Sequence, residues 1–245
     1  MTSLETRPVV RFSHEEFRRA VLSPAPRIAV FDCDGTLWDG DAGLGFMTWS
    51  MEAGLLSRDA SSWLDARHRL YRHGEVSEAA ICGEMVQVYA GLRDDELRRA
   101  AARYFAGHVE AQIFPEMQSL VADLRAGGTD IWAVSSTNNW VVEEGARRFE
   151  IGPERVLAAK VRVQDGLITS DLIDVPTDEG KAVALRGVGI PRPDAVFGNS
   201  IHDVAMMEIA DRAFPVNPTP GLVEISAQRG WTIFYPDAVL ADHTK

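Results

Sequence analysis

Apolar and polar positions change period along this chain. Residues 13–22 carry Phe17 and Val21 four apart behind Ser13, which predicts a short capped helix that Pro24 and Pro26 end. RIAVFD (27–32) follows as a short apolar run stopped by acids and Gly35, the pattern of a buried strand. Strand-like runs recur at 130–136, 155–163, 166–173, 194–199, 212–217 and 231–236. The second and third of these flank Gln164-Asp165, read as a hairpin turn. Helical patterns at 139–149, 180–187, 202–210 and 219–229 lie between most of them. This alternation predicts an α/β fold with a doubly wound, mainly parallel, Rossmann-like sheet.

One block breaks the alternation. From about 42 to 113 the pattern is helical throughout. Phe46, Trp49, Ala53 and Leu56 share a face; so do Trp63, Ala66, Leu70 and Tyr71, and then Ile81, Met85, Val88 and Tyr89. Asp94 is read as the cap of a run carrying Leu97, Ala101, Tyr104 and Phe105. The expected organisation is a core of 1–41 and 114–245 with a small helical cap domain, 42–113, over the edge of the sheet where ligands bind. Segments 38–45 and 110–116 would be its hinges.

Composition narrows the classes. The 245 residues are 46% hydrophobic and 25% charged, an ordinary globular balance. Lys plus Arg is 25 and Asp plus Glu is 36, a formal charge of -11, which argues against nucleic acid or an anionic membrane as partner. Cys33 and Cys82 make neither a disulfide framework nor a zinc pattern. The start MTSLETRPVV has no apolar signal core, and no apolar run approaches the roughly 18 residues of a membrane span. A reduced, soluble, cytoplasmic protein is expected.

The chemistry begins at Asp32-Cys33-Asp34-Gly35-Thr36, directly after the first strand. One carboxylate there can attack phosphorus, and a second two residues on can protonate the leaving oxygen and then deprotonate water. An acidic turn closing a strand is the plainer reading of those residues alone. Ser135-Ser136-Thr137-Asn138-Asn139 ends another strand and opens a helix, where a hydroxyl and free N–H groups can hold phosphate oxygens or simply cap the helix. Lys181 opens a further helix, and Gly198, Asn199, Ser200 and Asp203 follow the strand at 194–199. Oxygens from that loop and from Asp32 suit Mg²⁺.

In this order the four stretches resemble the haloacid dehalogenase superfamily, which is mostly phosphatases. The position of the helical insert and the segment SSTNNWV resemble its phosphoserine-phosphatase-like branch. The resemblance implies a Mg²⁺-dependent hydrolase of a small phosphorylated metabolite that works through an aspartyl phosphate. Asp32 would be nucleophile and metal ligand. Asp34 would be the general acid/base, with its carbonyl on the metal. Gly35, Thr36, Ser135 and Ser136 would hold phosphate, and Lys181 would stabilise the transferring charge. Asn199 and Asp203 would complete the metal side, Asp203 through water. Asp34 favours phosphoryl transfer, since the dehalogenase branch lacks an acid there. Asn199 departs from the family's usual Asp and removes one negative charge from the metal site. A phosphotransferase and a non-catalytic phosphometabolite binder are the alternatives on this scaffold.

For substrate choice, Asp41 stands where that branch places an acid facing a substrate amine, with Asp39 beside it; a solvated hinge acid in WDGDAG is the other reading. Arg67, His68, Arg69, Arg72 and His73 form a basic cluster read either as a solvated face or as a partner for a substrate carboxylate. His202 adjoins the metal loop. Phe46, Met47 and Trp49 suit either a pocket lid or helix packing. Cys33 has no redox partner.

Overall fold

The computed structural model describes residues 9–242. Helix α1 (His14–Leu22) opens with Ser13 as N-cap in a complete capping box with Glu16. The six strands are β1 (Ile28–Phe31), β2 (Asp130–Asn138), β3 (Val156–Gln164), β4 (Leu167–Asp174), β5 (Ala195–Gly198) and β6 (Arg212–Pro215). They form one sheet in the order β4-β3-β2-β1-β5-β6, parallel except for the β3–β4 hairpin.

Side chains alternate across this sheet, and both faces are covered. Ala29, Phe31, Ala133, Ala195 and Phe197 enter one apolar cluster, while Val30, Val134, Leu157 and Val196 enter the other. Helices α6 (Pro115–Ala126) and α7 (Asn139–Ala146) join α1 on the first face. Helices α8 (Glu179–Gly187), α9 (Val204–Glu208) and α10 (Pro220–Arg229) supply Leu185, Met206, Met207 and Leu222 to the second. Double coverage explains why the strands read as continuous apolar runs.

Between β1 and β2 run α2 (Ala42–Glu52), α3 (Arg58–Arg72), α4 (Glu78–Gln87) and α5 (Asp94–Tyr104), then a π-helical turn at Phe105–Val109. The segments that lead in and out of this block pair with each other. Asp39 N–H donates to the Gln112 carbonyl (2.9 Å), and Phe114 N–H donates to that of Leu37 (3.0 Å). The block also leans on the hairpin: Gly91 N–H meets the Ile168 carbonyl at 2.8 Å, and the Gln87 side chain that of Ser170 at 2.8 Å. A final helix, α11 (Asp237–Asp242), closes the described chain, in which no helix is long and apolar enough to cross a membrane.

Four local readings change. The hairpin turns on Asp165-Gly166, one residue later than expected, because those two take the positive φ of 52° and 78° that a tight hairpin needs. Residues 231–236 form no strand: Ile233 makes an isolated pairing with Arg11, and Phe234 one with Val216 just past β6. On α3 the buried position is Leu64, and Trp63 is 46% exposed, so the face is rotated from the predicted one. Asp94 does not cap α5. It begins the helix and accepts hydrogen bonds from Arg98 Nε and Trp140 Nε1, both 2.7 Å, which ties α5 to α7.

Candidate active site

Strand order reverses at β1, which lies between β2 and β5, and such a switch leaves a crevice at the strands' carboxyl ends. Every candidate segment arrives there. Asp32 follows β1, Ser135 and Ser136 lie late in β2, Asn199 follows β5, and Lys181 sits in the first turn of α8. The pairing of β2 with β3 jumps from Ser135 to Asn138, so Ser136 and Thr137 bulge from the ladder toward the crevice.

Lys181 is the hub. Its Nζ donates to Asp32 Oδ1 at 2.7 Å and to Asp203 Oδ1 at 2.5 Å, with the Val134 carbonyl at 3.4 Å. All three side chains are buried. Thr36 is buried too, and its hydroxyl donates to Asp32 Oδ2 at 3.0 Å. Burial and the charge of Asp203 push the Asp32 carboxyl up to about 7, against the pull of Lys181.

Asp203 is fully enclosed. Its Oδ2 accepts N–H bonds from Asn199 and Ser200, both 2.9 Å, so it stands behind the Asn199 loop and fixes it. Asn199 itself lines the cavity, and its amide covers Gly35, whose φ of 71° requires glycine.

Asp34 is half-buried and accepts three hydrogen bonds: from Trp38 Nε1 (2.7 Å), Ala42 N (2.8 Å) and Thr137 Oγ1 (2.7 Å). Burial and then the charge of Asp41 raise its carboxyl to about 6, while these bonds oppose the rise. Trp38 and Thr137 are the partners that sequence reasoning missed. The four-residue spacing from Asp34 to Trp38 was a visible signal for one. For Thr137, 103 residues away, there was none.

The cavity here measures about 250 Å³. Asp32, Asp34, Ser135, Ser136, Lys181 and Asn199 line its floor. Asp41, His68, Tyr71, Glu78, Cys82 and Met85, from the helical block and the loop before it, line the cavity as well. Ser135 is buried, with its hydroxyl accepting from Thr137 N–H at 3.1 Å. Asp41 caps α2 through Leu44 N–H, 2.8 Å. Of the basic cluster only His68 reaches the cavity. Arg67 is held by Glu84 at 2.6 and 2.8 Å, and Arg69 pairs with Asp65. Phe46 and Met47 are buried in the packing and Trp49 stacks on Phe46, so none of the three forms a lid. Cys33 is buried and free. His202 lines the cavity and bonds Asp178 through Nδ1 at 2.7 Å.

The oxygens on the cavity suit a hard divalent cation: the carboxylates of Asp32 and Asp34 and the amide of Asn199 line it, while Asp203, expected as a ligand through water, is enclosed behind them on Lys181 and the Asn199 loop.

Comparison with known proteins agrees with this layout. Residues 29–208 match the model of the haloacid dehalogenase-like hydrolases. A probable phosphatase of Mycobacterium tuberculosis is 28% identical over 220 residues, covering 85% of this chain and 76% of its own. A histidinol-phosphatase of Neisseria meningitidis is 21% identical over 217 residues, covering 84% and 97%. Among solved structures, a protein with unknown function from Bordetella pertussis superposes with a TM-score of 0.75 at 24% identity, covering 85% of this chain and 97% of that one. A substrate-bound phosphoserine phosphatase gives 0.57 at 16%, covering 85% and 92%. The chain belongs to the haloacid dehalogenase-like hydrolase family and is an enzyme of its phosphatase type.

Proposed function

We propose that the protein is a Mg²⁺-dependent phosphomonoester hydrolase of a small phosphorylated metabolite, working through a phosphoryl group carried on Asp32. The observation that carries this reading is the buried Asp32–Lys181–Asp203 cluster at the floor of a cavity that Asp34 also lines. Asp32 Oδ2 and Asn199, with the carbonyl of Asp34, would hold the ion, and Asp203 acts from behind through the Asn199 loop. The ion supplies positive charge that offsets repulsion between carboxylate and phosphate.

Asp32 attacks phosphorus, the ester P–O bond breaks, and Asp34 passes its proton to the departing alkoxide. A carboxyl raised to about 6 is suited to carrying that proton near neutral pH. Asp34 then takes a proton from water, whose oxygen attacks phosphorus and breaks the bond to Asp32, releasing inorganic phosphate. Lys181, Ser135 and the N–H of Ser136 stabilise the equatorial oxygens of a loose transition state. Helices α2–α5 act as a cap domain: α2, α3 and α4 bring Leu44, Tyr71 and Glu78 to the cavity that holds the catalytic residues.

The test is turnover of a chromogenic phosphate ester with Mg²⁺. The wild-type protein releases phosphate, whereas Asp32→Asn and EDTA treatment abolish release. Activity that survives Asp32→Asn defeats the assignment. Added acceptor alcohols that divert the phosphoryl group would mark a phosphotransferase instead.

A further inference from the structure

Two acids that the catalytic scheme does not use, Asp41 and Glu78, also line the cavity. Glu78 opens α4, and its side chain is only 14% exposed. Its Oε1 meets Cys82 Sγ at 3.6 Å, while its Oε2 is buried without a hydrogen-bond partner. His202 Nε2 lies 3.8 Å from it, and that ring is already held by Asp178. A buried carboxylate oxygen left unpaired is costly, and a cation placed beside it recovers that cost.

The cavity wall is also missing something. No arginine lines it among the described residues, because Arg67 and Arg69 are spent on Glu84 and Asp65. Its one lysine is held between Asp32 and Asp203. A carboxylate on the leaving alcohol would face Asp41 and Glu78 with no free lysine or arginine to pair with, and unpaired like charges are how binding sites reject a ligand.

We propose that Glu78, together with Asp41, selects phosphate esters whose alcohol carries a positive charge and no carboxylate. The selection rests on the phosphomonoesterase reading above and sharpens it, with Glu78 as the specificity-determining residue. Amino-alcohol phosphates are accepted, and amino-acid phosphates and phosphorylated hydroxy acids are disfavoured.

Binding of phosphonates, in which a methylene replaces the ester oxygen and blocks turnover, separates the two questions. Calorimetry in Mg²⁺ buffer compares 3-aminopropylphosphonate, 2-amino-4-phosphonobutyrate and 4-phosphonobutyrate. The first is expected to bind at least about tenfold more tightly than the second, with the third weakest. Glu78→Gln is expected to shrink the first-to-third ratio about tenfold, and Glu78→Asp to restore much of it. Equal affinities, tighter binding of either carboxylate-bearing compound, or no binding of the aminopropyl compound at millimolar concentration overturns the proposal, even if the chromogenic ester is hydrolysed. The expected order in a protein that hydrolyses no ester overturns the catalytic reading and leaves the charge selection standing. The wild-type order is decisive even if the Glu78 variants fail to fold.

Discussion

The Lys181 ammonium bridges Asp32 and Asp203, at 2.7 and 2.5 Å, although the three side chains belong to segments 149 and 22 residues apart. Burial alone would strip the charge from this lysine, but the two carboxylates more than reverse that and raise its pKa. Lys181→Met leaves two buried carboxylates with their cation gone. Breaking such a pair costs about 3–5 kcal/mol. Urea unfolding of the metal-free variant is expected to show a loss of that order, and phosphate-ester turnover should be lost. A variant as stable as the wild type would mean that the cluster does not hold the fold.

Asp34 sets a pH dependence. Its carboxyl titrates near 6 in the folded protein against an ordinary 3.8, mainly because of burial. The folded state therefore binds this proton more tightly than the unfolded chain. The associated stability is complete below about pH 4 and is lost as pH rises through 6. Asp34→Asn mimics the protonated form, so it should gain on the wild type between pH 4 and 7. In EDTA, the melting-temperature difference, variant minus wild type, is expected to rise by roughly 2 °C or more over that range. A constant difference counts against a raised Asp34.

Gly35 is constrained twice. Its φ is 71°, and a Cβ there would lie 2.7 Å from Asn199 Cγ and closer still to the amide nitrogen. Gly35→Ala strains the turn by about 1–2 kcal/mol and pushes the Asn199 amide aside. The expected result is a lower melting temperature together with a higher Mg²⁺ concentration for half-maximal turnover. Lower stability with unchanged Mg²⁺ demand would show that the Asn199 amide has no part in holding the ion.

What the sequence revealed divides by distance along the chain. Ala29–Phe31 and Ala195–Phe197 announce buried strands because each run is apolar on both faces. Ser13 announces α1 because its cap is completed three residues on. The four site segments were readable because each follows a strand or opens a helix. Long-range contacts left no such trace. Asp94 looks like a cap until Trp140, 46 residues on, claims its oxygen. The run at 231–236 has strand composition, yet it pairs only singly, Ile233 with Arg11 and Phe234 with Val216 just past β6. Glu78 lies in a helix with no motif around it, and it matters only because folding brings it into the cavity near His202.

Asn199 offers the sharpest test of the metal site. Its amide lines the cavity, and the N–H groups of Asn199 and Ser200 are pinned by Asp203, so a substitution of the side chain leaves the loop anchored. Asn199→Asp adds one negative charge at nearly constant shape. With the ion bound, that charge strengthens a site whose affinity follows the number of anionic oxygens. Without the ion, it adds repulsion to a cluster in which Asp32 is already raised to about 7 by burial and Asp203. The two effects have opposite signs. The Mg²⁺ concentration for half-maximal ester turnover is expected to fall about three- to tenfold. The metal-free variant is expected to melt below the wild type, and Mg²⁺ should stabilise it more than it stabilises the wild type. Unchanged or weaker activation by Mg²⁺ would place the ion away from Asn199 and undo the ligand assignment made for that loop.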